Sequence, residues 1–414
     1  MKLNYGKMFL LGFGFFGVSV LWGVYNAFVP LFLANRFGVP PALIGTFMTL
    51  DNIAALLIQP TVGSWSDRLR TPIGRRMPFI LVGAPLAALA FGLLPLAAIL
   101  PLFVACTITM ILTMAMARTP IVALMPDITP SRFRSQANGI INFMGGVGAI
   151  TSFLGGAALY ELNPAFPFWM ASILVVAAVL LVFLFIKEPR QTAASPEAQP
   201  SLIKNLQMIL RDREKSALRI LLAIFFWFIS YTAIEAFFTL YAVNHLKLTE
   251  ADGARLLGQL ALLFVLFSLP AGYFGAKFGR RVTILLGITL MGSTMLAMYL
   301  IPPTVLVIPI FHAPVLGLIP VVGLLLMFSG AAWALININS LPMVVDLTES
   351  ARVGTYTGLY YLFSTLAAIV GPNINGWIIQ LSGHNYSLTM AMAPVFMAMA
   401  LVMMLGVRRG EAQP

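Results

Sequence analysis

Cysteine is almost missing from this 414-residue chain: Cys106 stands alone, so no disulfide and no cysteine-based metal site can form within one chain. Histidine is nearly as scarce. His245, His312 and His384 lie far apart, show no metal-ligand spacing and are expected in solvated loops. Charge is the third shortage: 9% of residues are charged, against about 25% in soluble globular domains. A chain so poor in charge does not have water as its main solvent, which excludes a soluble enzyme or soluble binding module. No Gly-x-x-x-x-Gly-Lys-Ser/Thr loop occurs, so nothing supports nucleotide hydrolysis. Gly12-Phe-Gly14-Phe-Phe-Gly17 matches a dinucleotide-binding pattern in letters only, because it opens an apolar run with no strand before it. With no catalytic constellation, the chain is expected to be no enzyme and to use no cofactor and no metal.

What the chain has instead is hydrophobicity, at 60% of residues. Apolar runs of about 20 residues recur along nearly the whole length, each long enough to cross a ~30 Å hydrocarbon core as a helix. They do not alternate in polarity, as the strands of a membrane β-barrel would. Spans are predicted near 8–34, 42–63, 78–99, 101–123, 138–161, 164–186, 218–243, 254–276, 282–301, 315–338, 354–379 and 384–407. The first run is too long, and continues too soon into a second, for a cleaved signal peptide, so it is expected to remain as the first span. The fold class is therefore an all-α membrane protein with twelve transmembrane helices.

The excess of 25 Lys plus Arg over 14 Asp plus Glu is explained by where the basic residues fall. Of the 25, 21 lie in loops on one predicted side, among them Arg68, Arg70, Arg75, Arg76, Lys277, Arg280 and Arg281. Only Arg36, Lys247 and Arg255 lie on the other, and Arg118 falls inside a span. The positive-inside rule then places both termini in the cytoplasm and the chain in the plasma (inner) membrane, and it removes any need for a nucleic-acid partner.

The segment from Glu188 to Ala217 interrupts the apolar pattern with charge, Pro, Ala and Ser. It is read as a cytoplasmic linker (188–217), with a short amphipathic helix at Ile203–Arg211, between an N-terminal six-helix bundle (1–187) and a C-terminal one (218–414). The two halves repeat each other. Gly63-Ser-Trp-Ser-Asp67-Arg68 recurs as Gly272-Tyr-Phe-Gly-Ala276-Lys277 at 272 − 63 = 209, and Asn26-Ala-Phe-Val-Pro-Leu31 as Glu235-Ala-Phe-Phe-Thr-Leu240 at the same offset. Asp127-Ile-Thr129 matches Asp346-Leu-Thr348 at 346 − 127 = 219. Two such halves, related by an axis along the membrane normal, resemble the organisation of major facilitator transporters.

The loop after the second span adds to that resemblance. Gly63, Asp67, Arg68, Gly74, Arg75 and Arg76 are similar to the loop 2–3 signature of the superfamily. The resemblance implies that these residues, with Asp127 after the fourth span, latch one conformational state. A topology signal alone would supply arginines without the ordered Gly, Asp and Gly around them. The second copy keeps Gly279-Arg280-Arg281 but has Ala276 in place of the Asp. More narrowly, Gln59-Pro60 through Arg76-Met77-Pro78, with Ala123-Leu-Met-Pro-Asp127, resembles the sucrose-transporter-like and glycoside–cation symporter branch. That branch implies sugars or glycosides carried with a proton or sodium. Gln59 stands where sodium-coupled members place an Asp, so H⁺ is the expected coupling ion.

Charges inside spans carry the most information, because one at a helix centre costs at least ~2.5–3.5 kcal/mol. Asp51, Arg118 and Glu235 are the candidates for coupling. Asp51 lies 67 − 51 = 16 residues before Asp67, and Glu235 lies 235 − 219 = 16 after Arg219, which puts both at the same predicted depth. Arg118 lies 127 − 118 = 9 residues before Asp127, so on straight helices it misses either acid by about two turns. The functional reading is proton loading on an acid whose affinity burial has raised; the competing one is a structural ion pair. Trp22, Tyr25 and Asn26 cluster on one helix face, as do Trp227, Tyr231 and Glu235. Trp333, Asn337 and Asn373 add aromatic and amide groups, which together suit a polyol. They can equally be interface anchors and interhelical glue. The expected partners are a small solute, a sugar in the first instance, H⁺ and the lipid bilayer, with the chain acting as a monomer by alternating access. The alternatives are an exporter or a lipid or drug facilitator of the same fold, or a sugar uniporter.

Overall fold

The computed structural model describes residues 5–129, 133–188, 215–314, 316–347 and 353–410. Among the described residues, twelve helices are long and apolar enough to cross a membrane: α1 (Tyr5–Arg36), α2 (Pro41–Arg68), α3 (Met77–Leu96), α4 (Leu100–Ile128), α5 (Gln136–Leu162), α6 (Phe166–Phe185), α7 (Ser216–Asn244), α8 (Glu250–Phe278), α9 (Arg280–Leu300), α10 (Val321–Val345), α11 (Tyr356–Leu381) and α12 (Leu388–Leu405). Helix is the dictated choice, since a spanning segment must satisfy its own backbone hydrogen bonds where no water can. Pro60, Pro120, Pro270, Pro342, Pro372 and Pro394 lie inside helices, as neighbouring helices in a bilayer permit. The expected amphipathic helix at Ile203–Arg211 lies outside the described residues.

The chain divides into two compact units. The first holds Met1–Gly38, Leu50–Ser195 and Glu250–Gly258; the second holds Val39–Thr49, Pro196–Thr249 and Gln259–Pro414. In the first, α1 packs on α5 and α6, and α3 on α4 and α6. In the second, α7 packs on α11 and α12, and α9 on α10 and α12. Adding six to each helix number turns the first set of pairings into the second, so the sequence repeat is also a repeat of packing. Phe28, Phe91, Phe103 and Phe168 fill the first core, and Trp227, Phe237, Phe238 and Tyr241 the second. Exposed leucines such as Leu57, Leu184 and Leu269 leave apolar flanks suited to lipid.

Local departures from regular helix shape the units. Thr151–Gly155 is a π-helical turn within α5, a geometry often found at functional sites. At Met48–Thr49, α2 breaks, and the short helix before it, Pro41–Phe47, packs on α11. Glycines make that contact possible: a Cβ on Gly45 would stand 2.3 Å from Pro372 O, and one on Gly376 2.4 Å from Pro41 O. Between Ile301 and Val321 a helical turn, Pro303–Leu306, precedes an antiparallel hairpin of β1 (Pro309–Ala313) and β2 (Gly317–Pro320).

Candidate functional site

In the first unit two of the embedded charges, Asp51 and Arg118, lie on α2 and α4, which pack on each other. Asp51 follows the α2 break at once, and Asn52 Nδ2 donates to its carboxylate at 2.9 Å. Arg118 on α4 is close enough for its charge to act on Asp51, and the Asp51 charge in turn acts on the buried Tyr25 of α1. Trp22 lies edge-on to Tyr25, with ring centroids 5.3 Å apart. Its Nε1 is buried with no hydrogen-bond partner among the described residues, and Asn26 is half-buried one turn further on.

The second unit holds the other acid in an aromatic setting. Tyr231 on α7 stacks on Trp333 of α10 at 4.0 Å with planes 4° apart, and Phe228 meets Trp333 edge-on at 5.2 Å. Glu235, one turn beyond Tyr231, is near enough for its charge to act on the phenol. Trp333 is covered by its neighbours while Tyr231 and Glu235 are half-buried, so the phenol ring presents the accessible face of the stack. Asn337 is half-buried one turn after Trp333. Asn373 is occupied otherwise: its Oδ1 accepts from Thr46 Oγ1 at 2.7 Å, and its Nδ2 donates to Ile369 O at 2.8 Å. It therefore ties α11 to the short first helix of α2. Asn375 is fully buried and donates to Thr389 Oγ1 at 3.2 Å.

The basic ends of α2, α3 and α4 carry a dense ionic network. Arg76 donates to Asp67 at 2.8 Å, to Asp127 at 2.7 Å and to Ser66 Oγ at 2.9 Å. Arg75 reaches Asp127 at 2.9 Å. Gly74 adopts φ +114°, which turns the backbone into α3. There Glu188, at the end of α6, accepts from the Arg76 and Met77 N–H groups at 2.9 and 3.4 Å. A carboxylate on these N–H groups satisfies the orphan donors and the positive end of the helix dipole. Arg68 is exposed, and Gly63 has room for a methyl group beside Thr119 in this conformation. Glu188 was not singled out from sequence because it reads there as the first residue of the linker; its signal is the break from apolar run to Glu-Pro-Arg.

The second unit rebuilds part of this network. Arg280 pairs with Asp346, the repeat-mate of Asp127, despite Ala276 replacing the aspartate on α8. Arg281 Nη2 donates to Leu405 O at 2.8 Å and so holds the last turn of α12.

The sequence matches the Major Facilitator Superfamily over residues 11–320 and again over 256–414. The chain belongs to this superfamily. YegT of Escherichia coli (strain K12), whose name marks it as a candidate nucleoside transporter, is 26% identical over 285 residues, 67% of this chain and 64% of its own length. Proton-associated sugar transporter A of Homo sapiens is 39% identical over 80 residues, 19% of this chain and 10% of its own. This chain thus spans less than two thirds of either relative. The crystal structure of a bacterial homolog to the human lysosomal transporter Spinster aligns over 100% of both chains with a TM-score of 0.77 at 14% identity, a likeness of fold. The chain is therefore a multi-pass membrane protein of this superfamily.

One further cluster of this facilitator was missed in the sequence. Glu250, at the start of α8, accepts from Asn35 Nδ2 at 2.5 Å and from the Tyr160 hydroxyl. Arg255 bridges Glu161 at 2.6 Å and Asp252 at 3.0 Å. Beside them a cavity of about 350 Å³ is lined by Phe32, Arg36 and Asn163. Hydropathy trims charged helix ends, so the first turn of α8 looks like loop in the sequence. The histidines also differ from expectation in one case. His312 and His384 are exposed, but His245 is half-buried and stacked on Tyr241 at 5.2 Å, with burial and then Lys247 holding its imidazole below the usual range.

Proposed function

We propose that this facilitator carries a small polyhydroxylated solute, a sugar or glycoside, by proton-coupled symport with alternating access. The observation that carries this reading is the Tyr231–Trp333 stack beside Glu235. A flat ring offers the apolar face of a pyranose a surface, and an acid in an apolar span can accept its hydroxyls or hold a proton. Trp22 Nε1 supports the reading as a buried donor still in need of an acceptor. The sugar-transporting relative supports it too, over the short segment that aligns. The chain acts as a monomer in the plasma (inner) membrane, its basic loops and both termini cytoplasmic by the positive-inside rule.

A nucleoside is the second reading, favoured by the longer alignment with YegT. A thermal-shift screen of purified protein against mono- and disaccharides and nucleosides, at two pH values with and without sodium, separates the two. A ligand of the native state raises the melting temperature by mass action. Stabilisation by nucleosides alone would replace the sugar assignment.

Tyr231→Leu weakens solute binding about tenfold, a ~1.4 kcal/mol loss of aromatic contact, whereas Tyr231→Phe leaves it nearly unchanged. Calorimetric titration of the two variants checks this, and equal affinities would remove the ring from the site.

The coupling ion is H⁺. A sodium ion takes several oxygen ligands, and Gln59 offers no carboxylate where related symporters place one. Uptake into proteoliposomes under an imposed pH gradient accumulates solute, and a sodium gradient at equal pH does not. Accumulation on sodium alone contradicts the assignment; equilibration without accumulation under either gradient makes the protein a uniporter.

A further inference from the structure

Between Arg281 and Asp346 the sequence contains no Lys, Arg, Asp or Glu. Two spans account for most of that stretch, but the connection from Ile301 to Pro320 is not a span and is equally free of charge. Loops that enter water ordinarily carry charged side chains, and the other long connection of this chain, 188–217, does so heavily. The α9–α10 connection instead carries Val305, Ile308, Ile310, Phe311 and Leu318 as exposed large apolar residues.

The hairpin explains why they are exposed. Phe311 pairs across the ladder with Ile319 and His312 with Leu318. Side chains alternate along a strand and directly opposite residues share a face, so Phe311, opposite Ile319, and Leu318, opposite His312, point to opposite faces, and both are about half exposed. A hairpin folded over a helix bundle as a lid would hide one face and wet the other; this one shows apolar groups on both. It is fastened to the bundle along β2: Ile319 and the preceding Leu306 are buried, and Gln259 Nε2 on α8 donates to Leu316 O and Leu318 O at 3.3 and 3.2 Å. Leu296, Tyr299 and Leu300 at the end of α9, the membrane span that leads into the hairpin, are exposed apolar residues as well.

We propose that this hairpin is a lipid-contacting element that rests in the interfacial layer of the bilayer at the ends of α9 and α10, with Ile310, Phe311 and Leu318 against the upper acyl chains. Its depth follows from its backbone. Two strands leave two edges, and beyond the carbonyls that Gln259 takes, their outward N–H and C=O groups find no partner in hydrocarbon, so it stays where water and headgroups reach. Its chemistry sets the lipid preference. With no cationic side chain, it is held by apolar burial and does not select anionic headgroups.

The test places a probe on each strand in a Cys106→Ser background. Phe311→Cys and Leu318→Cys, each labelled with an environment-sensitive nitrobenzoxadiazole, are reconstituted in phosphatidylcholine vesicles with and without phosphatidylglycerol. Nitroxide lipids labelled near the headgroup, nitroxide lipids labelled at the chain end, and aqueous iodide serve as quenchers. The expected result is loss of most of the fluorescence to the shallow nitroxide, less to the deep one, little to iodide, and no difference between the two vesicle types. Quenching chiefly by iodide would overturn the proposal, as would quenching only in anionic vesicles. An emission shift that tracks the protein-to-lipid ratio would assign the surface to a second copy of the chain and also overturn it.

Discussion

Glu235→Gln abolishes accumulation of solute against its gradient while exchange of labelled for unlabelled solute continues. Glutamine keeps the shape of the side chain and its capacity to hydrogen-bond but cannot take up or release a proton. Folding is spared, because removing a charge from a spanning helix takes away a cost of about 2.5–3.5 kcal/mol and leaves no cavity. The Tyr231 ring, one turn away on α7, stays stacked on Trp333 and continues to present its face to the solute. Exchange needs only the binding site and its access to both sides, whereas net accumulation needs the proton to be handed on. Counterflow and pH-driven uptake in the same proteoliposomes separate the two. A variant that still concentrates solute shows Glu235 to be structural and passes the coupling role to Asp51.

The second large effect is expected at Asp127. Its carboxylate pairs with Arg75 at 2.9 Å and with Arg76 at 2.7 Å, and its side chain is 11% exposed, against 45% for Asp67. Asp127→Asn leaves two guanidinium groups side by side in a nearly buried network, and losing one partner of such a network costs about 3 kcal/mol. Asp67→Asn removes one half-exposed contact of Arg76 and costs less than ~1 kcal/mol. Melting temperature therefore falls far more for Asp127→Asn than for Asp67→Asn. Both variants change the transport rate more than equilibrium solute affinity, since the network joins the ends of α2, α3 and α4 and includes none of the residues proposed to hold the solute. The reverse stability order, or a selective loss of affinity, would contradict the assignment.

Much of this architecture was readable before any coordinates. Twelve apolar runs became twelve helices because hydrocarbon thickness sets a minimum length and forbids any other backbone. The ends were less readable. The first turn of α8 carries Glu250 and Asp252, which a hydropathy reading assigns to loop. The break at Met48–Thr49 has no proline or glycine to announce it; the turn is stabilised by Thr49 Oγ1 donating to Thr46 O at 2.7 Å.

The sequence by itself determined what depends on solvent and on repetition: a membrane protein, its helix number, the repeat of one half in the other, and the residue types worth a charge inside a bilayer. Only the tertiary structure decided which of those residues meet. Tyr231 lies on Trp333, Glu188 caps α3, Asn373 is tied to Thr46, and Arg280 finds Asp346 although Ala276 stands where the repeat would place its acid. The physical reason is one of range. The cost of burying a group acts on each residue wherever it lies, so it leaves a pattern along the chain. A hydrogen bond or ion pair acts only over a few ångströms between groups that helix packing brings together from distant positions, and that proximity leaves no local pattern to read.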